Sequence, residues 1–470
     1  MKFSRRNILL GGAATLVAVP VVAQGMWSAK DFERPGFDAN LPTPPTGEKA
    51  WMNWSGAQKA TPKQFGVPQN VKAVADLVAT APAPIRPVGT GHSFTGLVPS
   101  EGTIVDISGV SGLLAHDTAA QTASLGAGTR LNQAARLLEG VGLGFANMPD
   151  IDVQTMAGAF STATHGTGLK LPAMHDYVQG FQLVTAAGEI KEVSATSNPH
   201  LLQAGKVSLG ALGVVTRYDL KLEKLFNLHR RVWTVQMDEI MDQFEERINT
   251  HRNFELLYIP GTGVAAALSH DLHEGDVTGR AASEDEDIVE ALQQLRDIFG
   301  WWPWLRKQVA LSQLPEGVLE DVSDSARKLL STSRVTKFNE MEYHIPLENG
   351  MKTLREILPM VERKNEIFFP VEVRVTEQDD AWLSPFQGGP RMSIALHAKA
   401  NERYDYLFEE FEPVLRRNGG RPHWGKHHSL SAAELAALYP DFARFNEVRR
   451  ELDPEGKFVS PYMANLWGDA

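Results

Sequence analysis

The sequence predicts an α+β protein of two domains, and three observations lead there. At 470 residues the chain is longer than one hydrophobic core usually organises. Short strand-like and helix-like segments mix without the regular spacing of a βαβ ladder. Near Phe226 the pattern changes to longer amphipathic segments. Apolar residues make up 43% and charged residues 22%, with no low-complexity tract, which argues against disorder.

Residues 28–65, rich in Pro, Gly and Trp, read as an extended lead-in. After Asn70, VKAVADLVATAPAP predicts a helix, and IRPVG a short strand ending in a tight turn. TIVDIS (103–108) and TASLGAG (122–128) predict strands, and Thr129 is placed to cap a helix through RLNQAARLLEGVG. FQLVTAAGEIKEVS (181–194) predicts two strands around a turn, and LGALGVVTRYDLKLE (209–223) a glycine-rich segment with another strand. In the second region, Glu284–Asp287 reads as a solvated helix start and Trp301, Trp302 and Trp304 as packing. Strands return at IFFPVEVRVTE (367–377) and RMSIALHAKA (391–400), followed by helices over 404–418 and 431–452.

The first 25 residues place Arg5 and Arg6 before a mild apolar run, Ile8 to Ala23. The run is too short and glycine-rich for a convincing permanent span. It resembles a bacterial twin-arginine export signal, which implies a periplasmic protein; an uncleaved membrane anchor is the competing reading. The net charge of -11, with no Lys/Arg cluster, argues against nucleic-acid binding. The chain has no cysteine, which excludes disulfides, thiolate metal sites and cysteinyl cofactor links.

Two loops carry chemistry. In RPVGTGHSFTGL (86–97), Gly89 and Gly91 allow a ligand to approach the backbone, and His92 stands at the tip. A hydrogen-bonded histidine in a tight turn is the plain alternative. In NMPDIDVQTMAGAFSTATHGTGLKL (147–171), glycines alternate with Ser and Thr, a composition poor at filling a core and suited to wrapping a polar ligand. Two such loops imply a large phosphorylated cofactor. Neither is a G-x-G-x-x-G opening a helix, and neither contains G-K-[ST], so Rossmann and P-loop sites lose support.

PVGTGHSF, DIDVQTMAGAFSTATHGTG, LGALGVVT, PVEVRV and RPHWGKHHSL, in that order, resemble the sugar-lactone and polyol oxidoreductases of the vanillyl-alcohol-oxidase-type flavoproteins. The aldonolactone oxidases resemble the chain most. The resemblance implies an FAD-binding domain over 45–225, a substrate cap over 226–410 and a final segment, 411–470, returning to the cofactor. It implies a covalent bond from His92 to FAD. It also implies FAD contacts from Val88, Gly89, Thr90, Gly91, His92 and Ser93, from Thr155, Gly158, Thr162, Ala163, Thr164 and His165, and from Val214, Val215, His423 and Lys426.

On PVEVRVT, strand alternation puts Glu372 and Arg374 on one face, opposite three valines. A structural salt bridge is one reading of that pair; the family's substrate site is the other. On RMSIALHAKA the same alternation groups His397 with Lys399. His397 matches a family active-site histidine, whereas Lys399 departs from the small hydroxyl residue of the polyol oxidases. Lys426 of HWGK matches a lysine near the N1–C2 end of the flavin. Glu372, Arg374, His397 and Lys426 are thus the predicted catalytic groups, with Asn147 and Lys399 added as substrate contacts. No metal site is predicted, His427 and His428 included.

The implied reaction is oxidation of a hydroxyl carbon of an aldono-1,4-lactone, such as L-gulono- or D-arabinono-1,4-lactone. Electrons would pass to oxygen or to a respiratory quinone or cytochrome, with possible peripheral contact with a membrane. In relatives the residue at the place of Ala146 bears on oxygen reactivity without deciding between the two acceptors. An open-chain polyol oxidase and a non-catalytic exported lactone-binding protein are the other readings.

Overall fold

The computed structural model describes residues 21–44, 49–281, 285–332 and 335–469. Most of the proposed export signal lies outside the described residues. The chain emerges in the helix Val21–Ser28, whose Trp27 indole donates to the carbonyl of Arg296 at 3.0 Å.

Two larger sheets, with two small two-stranded ones, build the described amino-terminal part. A parallel sheet sets Thr103–Asp106 between Gln64–Gly66 and Ile85–Val88. Parallel strands need a crossover, and the helix Val71–Thr80 supplies it between Gln64–Gly66 and Ile85–Val88. Asn70 caps that helix by accepting from the Ala73 amide, and Val74, Ala75 and Val78 are its buried face. An antiparallel sheet follows in the order Ile190–Ser194, Val178–Val184, Val214–Lys221, Thr122–Gly126, Leu113–Asp117.

From Asn227 a single antiparallel sheet of eight strands takes over. Its order is Val318–Ser325, Asn227–Gln236, Val264–His273, Asn253–Ile259, Val371–Thr376, Arg391–Lys399, Phe338–Pro346 and Arg421–Pro422. Alternation works as predicted on Val371–Thr376. Val371, Val373 and Val375 are buried, while Glu372 and Arg374 turn to the other face. One contiguous core joins both parts, running from Leu125 and Phe181 through Leu256, Val373 and Ile394 to Leu435 and Trp467. The last segment adds Arg421–Pro422 to the cap sheet, then returns: Ile85 donates its amide to Lys457 O at 2.6 Å.

Several local expectations are corrected. Thr129 caps no helix; Leu131–Glu139 starts after Arg130, while the Thr129 hydroxyl donates to Gly126 O and accepts from the Gly112 amide. The helix over 404–418 contains a π-helical turn, Leu407–Phe411, just before Pro413, which has no N–H to continue the ladder. The 431–452 segment breaks into Ala432–Leu438 and Phe442–Leu452, because Pro440 forces Tyr439 into extended backbone. Glu286 is not simply solvated, since it accepts from the amides of Val335 and Thr336. Trp304 is 62% exposed rather than packed.

Candidate active site

The glycine turn begins where Ile85–Val88 ends. Gly89 lies so close to Thr155 that a Cβ would fall 1.9 Å from its Oγ1, and Gly91 has φ +70°, which favours glycine. Thr155 caps the short helix Met156–Ser161 by accepting from the Gly158 amide. The two glycine/hydroxyl loops are therefore in direct contact. His92 stacks on Trp54, with ring centroids 5.2 Å apart, and its ring makes no hydrogen bond to the described residues. Burial, then the charges of Lys426 and Arg130, push its pKa down to about 4. A neutral imidazole with a free nitrogen is a competent nucleophile.

The carboxy-terminal segment reaches the same turn. The Phe94 amide donates to Gly425 O at 2.7 Å, and Thr95 Oγ1 donates to Trp424 O at 3.3 Å. This places Lys426 beside the turn, with its Nζ ion-paired to Glu340 and 5.3 Å from the centre of the Phe94 ring. Glu340 also lies 3.6 Å from His397 Nε2. Burial favours the neutral acid at Glu340, but Lys426 and His397 outweigh it and hold the group at about 2. Burial likewise opposes the charge on His397, yet Glu340 outweighs it and raises the histidine above its usual value.

Two strand positions further on, Glu342 contacts His165 Nε2 at 3.1 Å. Burial opposes its charge too, and His165 more than compensates, so Glu342 is held well below the usual carboxylate range. His423 completes a trio with His165 and Glu342, their ligand-type atoms all within 4.8 Å of one another. The trio is accounted for by hydrogen bonds, since His423 Nδ1 accepts from the Gly425 amide and burial keeps its ring neutral with a pKa of about 3. His427 and His428 diverge: His427 meets Asn339 Oδ1, and His428 lies against Trp424.

Arg374 forms the other charged group. Its Nη2 is 2.8 Å from Glu372 Oε2 and its Nε 2.8 Å from Glu255 Oε2. Burial opposes the charge on Arg374, but Glu372, Glu255 and Asp150 raise its pKa well above the usual value. The predicted salt bridge is present, between two side chains that are also predicted substrate contacts.

Glu342, Glu372, Arg374, His165, His397, His423 and Lys426 border one cavity. Its wall carries Val88, Gly89, Thr90, Gly91, His92, Ser93, Thr155, Gly158, Thr162, Thr164, His165, Val214 and Val215 from the amino-terminal part. From the cap and the last segment come Glu372, Arg374, His397, His423 and Lys426. Three predicted contacts are off the wall. Ala163 is fully buried with φ +61° between two wall threonines. Asn147 is buried, bonding Thr167 O and the Met148 amide. Lys399, at the end of its strand opposite Phe338, is displaced from the cavity. Ala146 is buried off the wall as well, its carbonyl accepting from Arg252.

The sequence reading missed Trp54, Asp150, Gln154, Phe338, Glu340 and Glu342 on the wall. A signal for the glutamates was present. In FNEMEYHIP, Glu340, Glu342 and His344 recur at period two on a strand buried along nearly its whole length, where charge needs a partner. Arg86 was also missed. Its buried guanidinium donates to the carbonyls of Leu97, Leu209, Gly210 and Phe458, tying three loops together beside the cavity.

The residues fit FAD. Gly89 leaves no room for a Cβ, Gly91 has positive φ, the cavity wall combines both glycine/hydroxyl loops, and Lys426 supplies positive charge near His92. Comparison with known proteins agrees. Residues 62–194 match the FAD binding domain family and residues 218–466 the D-arabinono-1,4-lactone oxidase family. The chain is 32% identical over 430 residues to an L-gulono-1,4-lactone dehydrogenase of Mycobacterium tuberculosis, covering 89% of this chain and 99% of that one. It is 27% identical to an L-gulonolactone oxidase of Bos taurus (89% and 98% covered) and 28% identical to an alditol oxidase of a Streptomyces species (89% and 99%). A cholesterol oxidase structure from B. sterolicum superposes with a TM-score of 0.74 at 15% identity, covering 92% of this chain and all of that one, and shares the fold. The chain belongs to the D-arabinono-1,4-lactone oxidase family of FAD-dependent oxidoreductases.

Proposed function

We propose that this protein oxidises a hydroxyl carbon of an aldono-1,4-lactone, with FAD attached through His92. The observation that carries the reading is the shared cavity, in which the glycine turn bearing His92 faces the cap's Glu372, Arg374 and His397. FAD, when bound, supplies the hydride acceptor. The chain's own residues do the rest. Glu372 and Arg374 would hold the substrate's hydroxyls, Lys426 would supply positive charge to the flavin, and His397 with Glu340 would handle the departing proton. The low pKa of His92 supports the covalent bond, because the ring stays neutral near pH 7. Anaerobic mixing of the FAD-loaded protein with L-gulono- and D-arabinono-1,4-lactone tests the reading, and bleaching of the flavin is the expected result. Bleaching by open-chain alditols alone would favour the polyol oxidases instead. A lactone-binding protein would show none.

The electron acceptor is oxygen or a quinone or cytochrome of the bacterial envelope, reached after export by the paired-arginine segment. Reoxidation of the reduced protein by air, compared with a soluble quinone, separates the two. Peripheral membrane contact is supported by the position of the amino-terminal helix. Trp27 packs against Gly300, beside Trp301, Trp302 and the exposed Trp304, and tryptophans favour membrane interfaces. Trp304→Ser is expected to weaken sedimentation with phosphatidylethanolamine/phosphatidylglycerol vesicles.

A further inference from the structure

We propose that Glu255 is a specificity residue: by occupying Arg374 from outside the cavity, it makes the cap face accept neutral lactones and reject carboxylates. The inference rests on the lactone reading above and deepens it. Arg374 is the cap's only cation of fixed charge on the cavity wall among the described residues, and a bare guanidinium there would bind a substrate carboxylate through two parallel hydrogen bonds. The structure prevents this. Glu255 takes Nε at 2.8 Å, Glu372 takes Nη2 at 2.8 Å, and Asp150 lies 4.0 Å from the same Nη2. Three carboxylates around one guanidinium leave that face net negative. Only Nη1 has no protein acceptor among the described residues, so it can donate to a hydroxyl or ring carbonyl.

Glu255 is not part of the cavity wall. It stands on Asn253–Ile259, next to the Val371–Thr376 strand, with Leu256 paired to Val373 and Leu257 to Glu372. It therefore acts on the substrate through Arg374 and is a positioning residue. The discrimination matters chemically. Water adds to the ring ester of an aldonolactone and opens it to the aldonate, releasing one proton, so both forms coexist in solution. The two differ by the closed ring, one water and one negative charge, and the carboxylate surround selects against the form that carries the charge.

The test uses the FAD-loaded protein and reads binding from the perturbed flavin spectrum, without turnover. The probes are L-gulonate and its neutral amide. Wild type is expected to bind the amide at least about 10-fold more tightly than the anion, the order of magnitude for one unit charge at a partly screened site. Glu255→Gln is expected to tighten gulonate by about 10-fold with little change for the amide, and Glu255→Asp to restore the wild-type ratio. Equal binding of the two probes by wild type would overturn the proposal even if no variant folds. So would a folded Glu255→Gln protein with unchanged gulonate affinity. Failure of every lactone to bleach the flavin would overturn the substrate reading instead, and the probe titration decides the role of Glu255 separately.

Discussion

The amide of Phe94 donates to the carbonyl of Gly425 at 2.7 Å, and with the Thr95–Trp424 hydrogen bond it sets His92 and Lys426 relative to each other. The residues lie more than 300 positions apart in sequence, yet each is one or two residues from this contact. The proposed attachment point and the proposed charge for the reduced flavin would both have to meet the same ring, and the backbone pairing of the two loops brings them together.

His92→Ala is predicted to release the flavin into the supernatant after acid precipitation, while wild type keeps its colour in the pellet. Attachment in wild type is predicted to slow as pH falls toward the pKa of about 4, because protonation removes the nucleophilic lone pair. The rate of flavin incorporation into purified apoprotein checks the second point.

Gly89→Ala is predicted to abolish or severely weaken FAD binding, since its Cβ would fall 1.9 Å from Thr155 Oγ1. Thr155→Ala removes the obstructing atom, so the double variant should recover part of the lost affinity. Fluorescence titration with FAD in a His92→Ala background reads the effect free of the covalent bond.

Lys426→Met is predicted to slow flavin reduction by about 100-fold or more, the range seen when a preorganised charge is removed from a developing anion. The flavin's affinity for sulfite should fall in parallel, because the sulfite adduct carries the same negative charge as the reduced ring. Lys426→Met also strands Glu340, a buried carboxylate now lacking its main partner, so Lys426→Arg is the conservative control.

Acid should destabilise the fold. The rings of His423, His427 and His428 are buried, and burial holds their pKa values at about 3, 3 and 4. Each is lowered from the unfolded value, so between about pH 6.5 and those values the unfolded chain binds more protons and stability falls as pH falls. His428 has neither ring nitrogen hydrogen-bonded among the described residues. His428→Phe is predicted to blunt the acid loss by on the order of 3 kcal/mol at pH 4, measured by urea unfolding at pH 4 and pH 7.

Much of the site was legible because its chemistry is local. Gly89, Gly91 and His92 sit within four residues, and Glu372 and Arg374 share a strand face by period two alone. What escaped depends on distant contacts. Whether Lys399 shares the cavity with His397 depends on where the wall ends along the strand, which alternation does not specify. Thr129 has the right residue type for a cap, but the Gly126 carbonyl and Gly112 amide compete successfully for its hydroxyl. Glu340 reads as one more strand residue until Lys426, 86 positions later, meets it. The two parts keep separate sheets, while the apolar faces of both pack together into one cluster that no local pattern announces.

The most direct test is anaerobic stopped-flow mixing of the flavin-loaded protein with L-gulono-1,4-lactone and D-arabinono-1,4-lactone. A single-turnover loss of the oxidised flavin absorbance, faster with at least one lactone than with any open-chain alditol, is the predicted result. A fully loaded protein whose spectrum stays oxidised with both lactones would contradict the account.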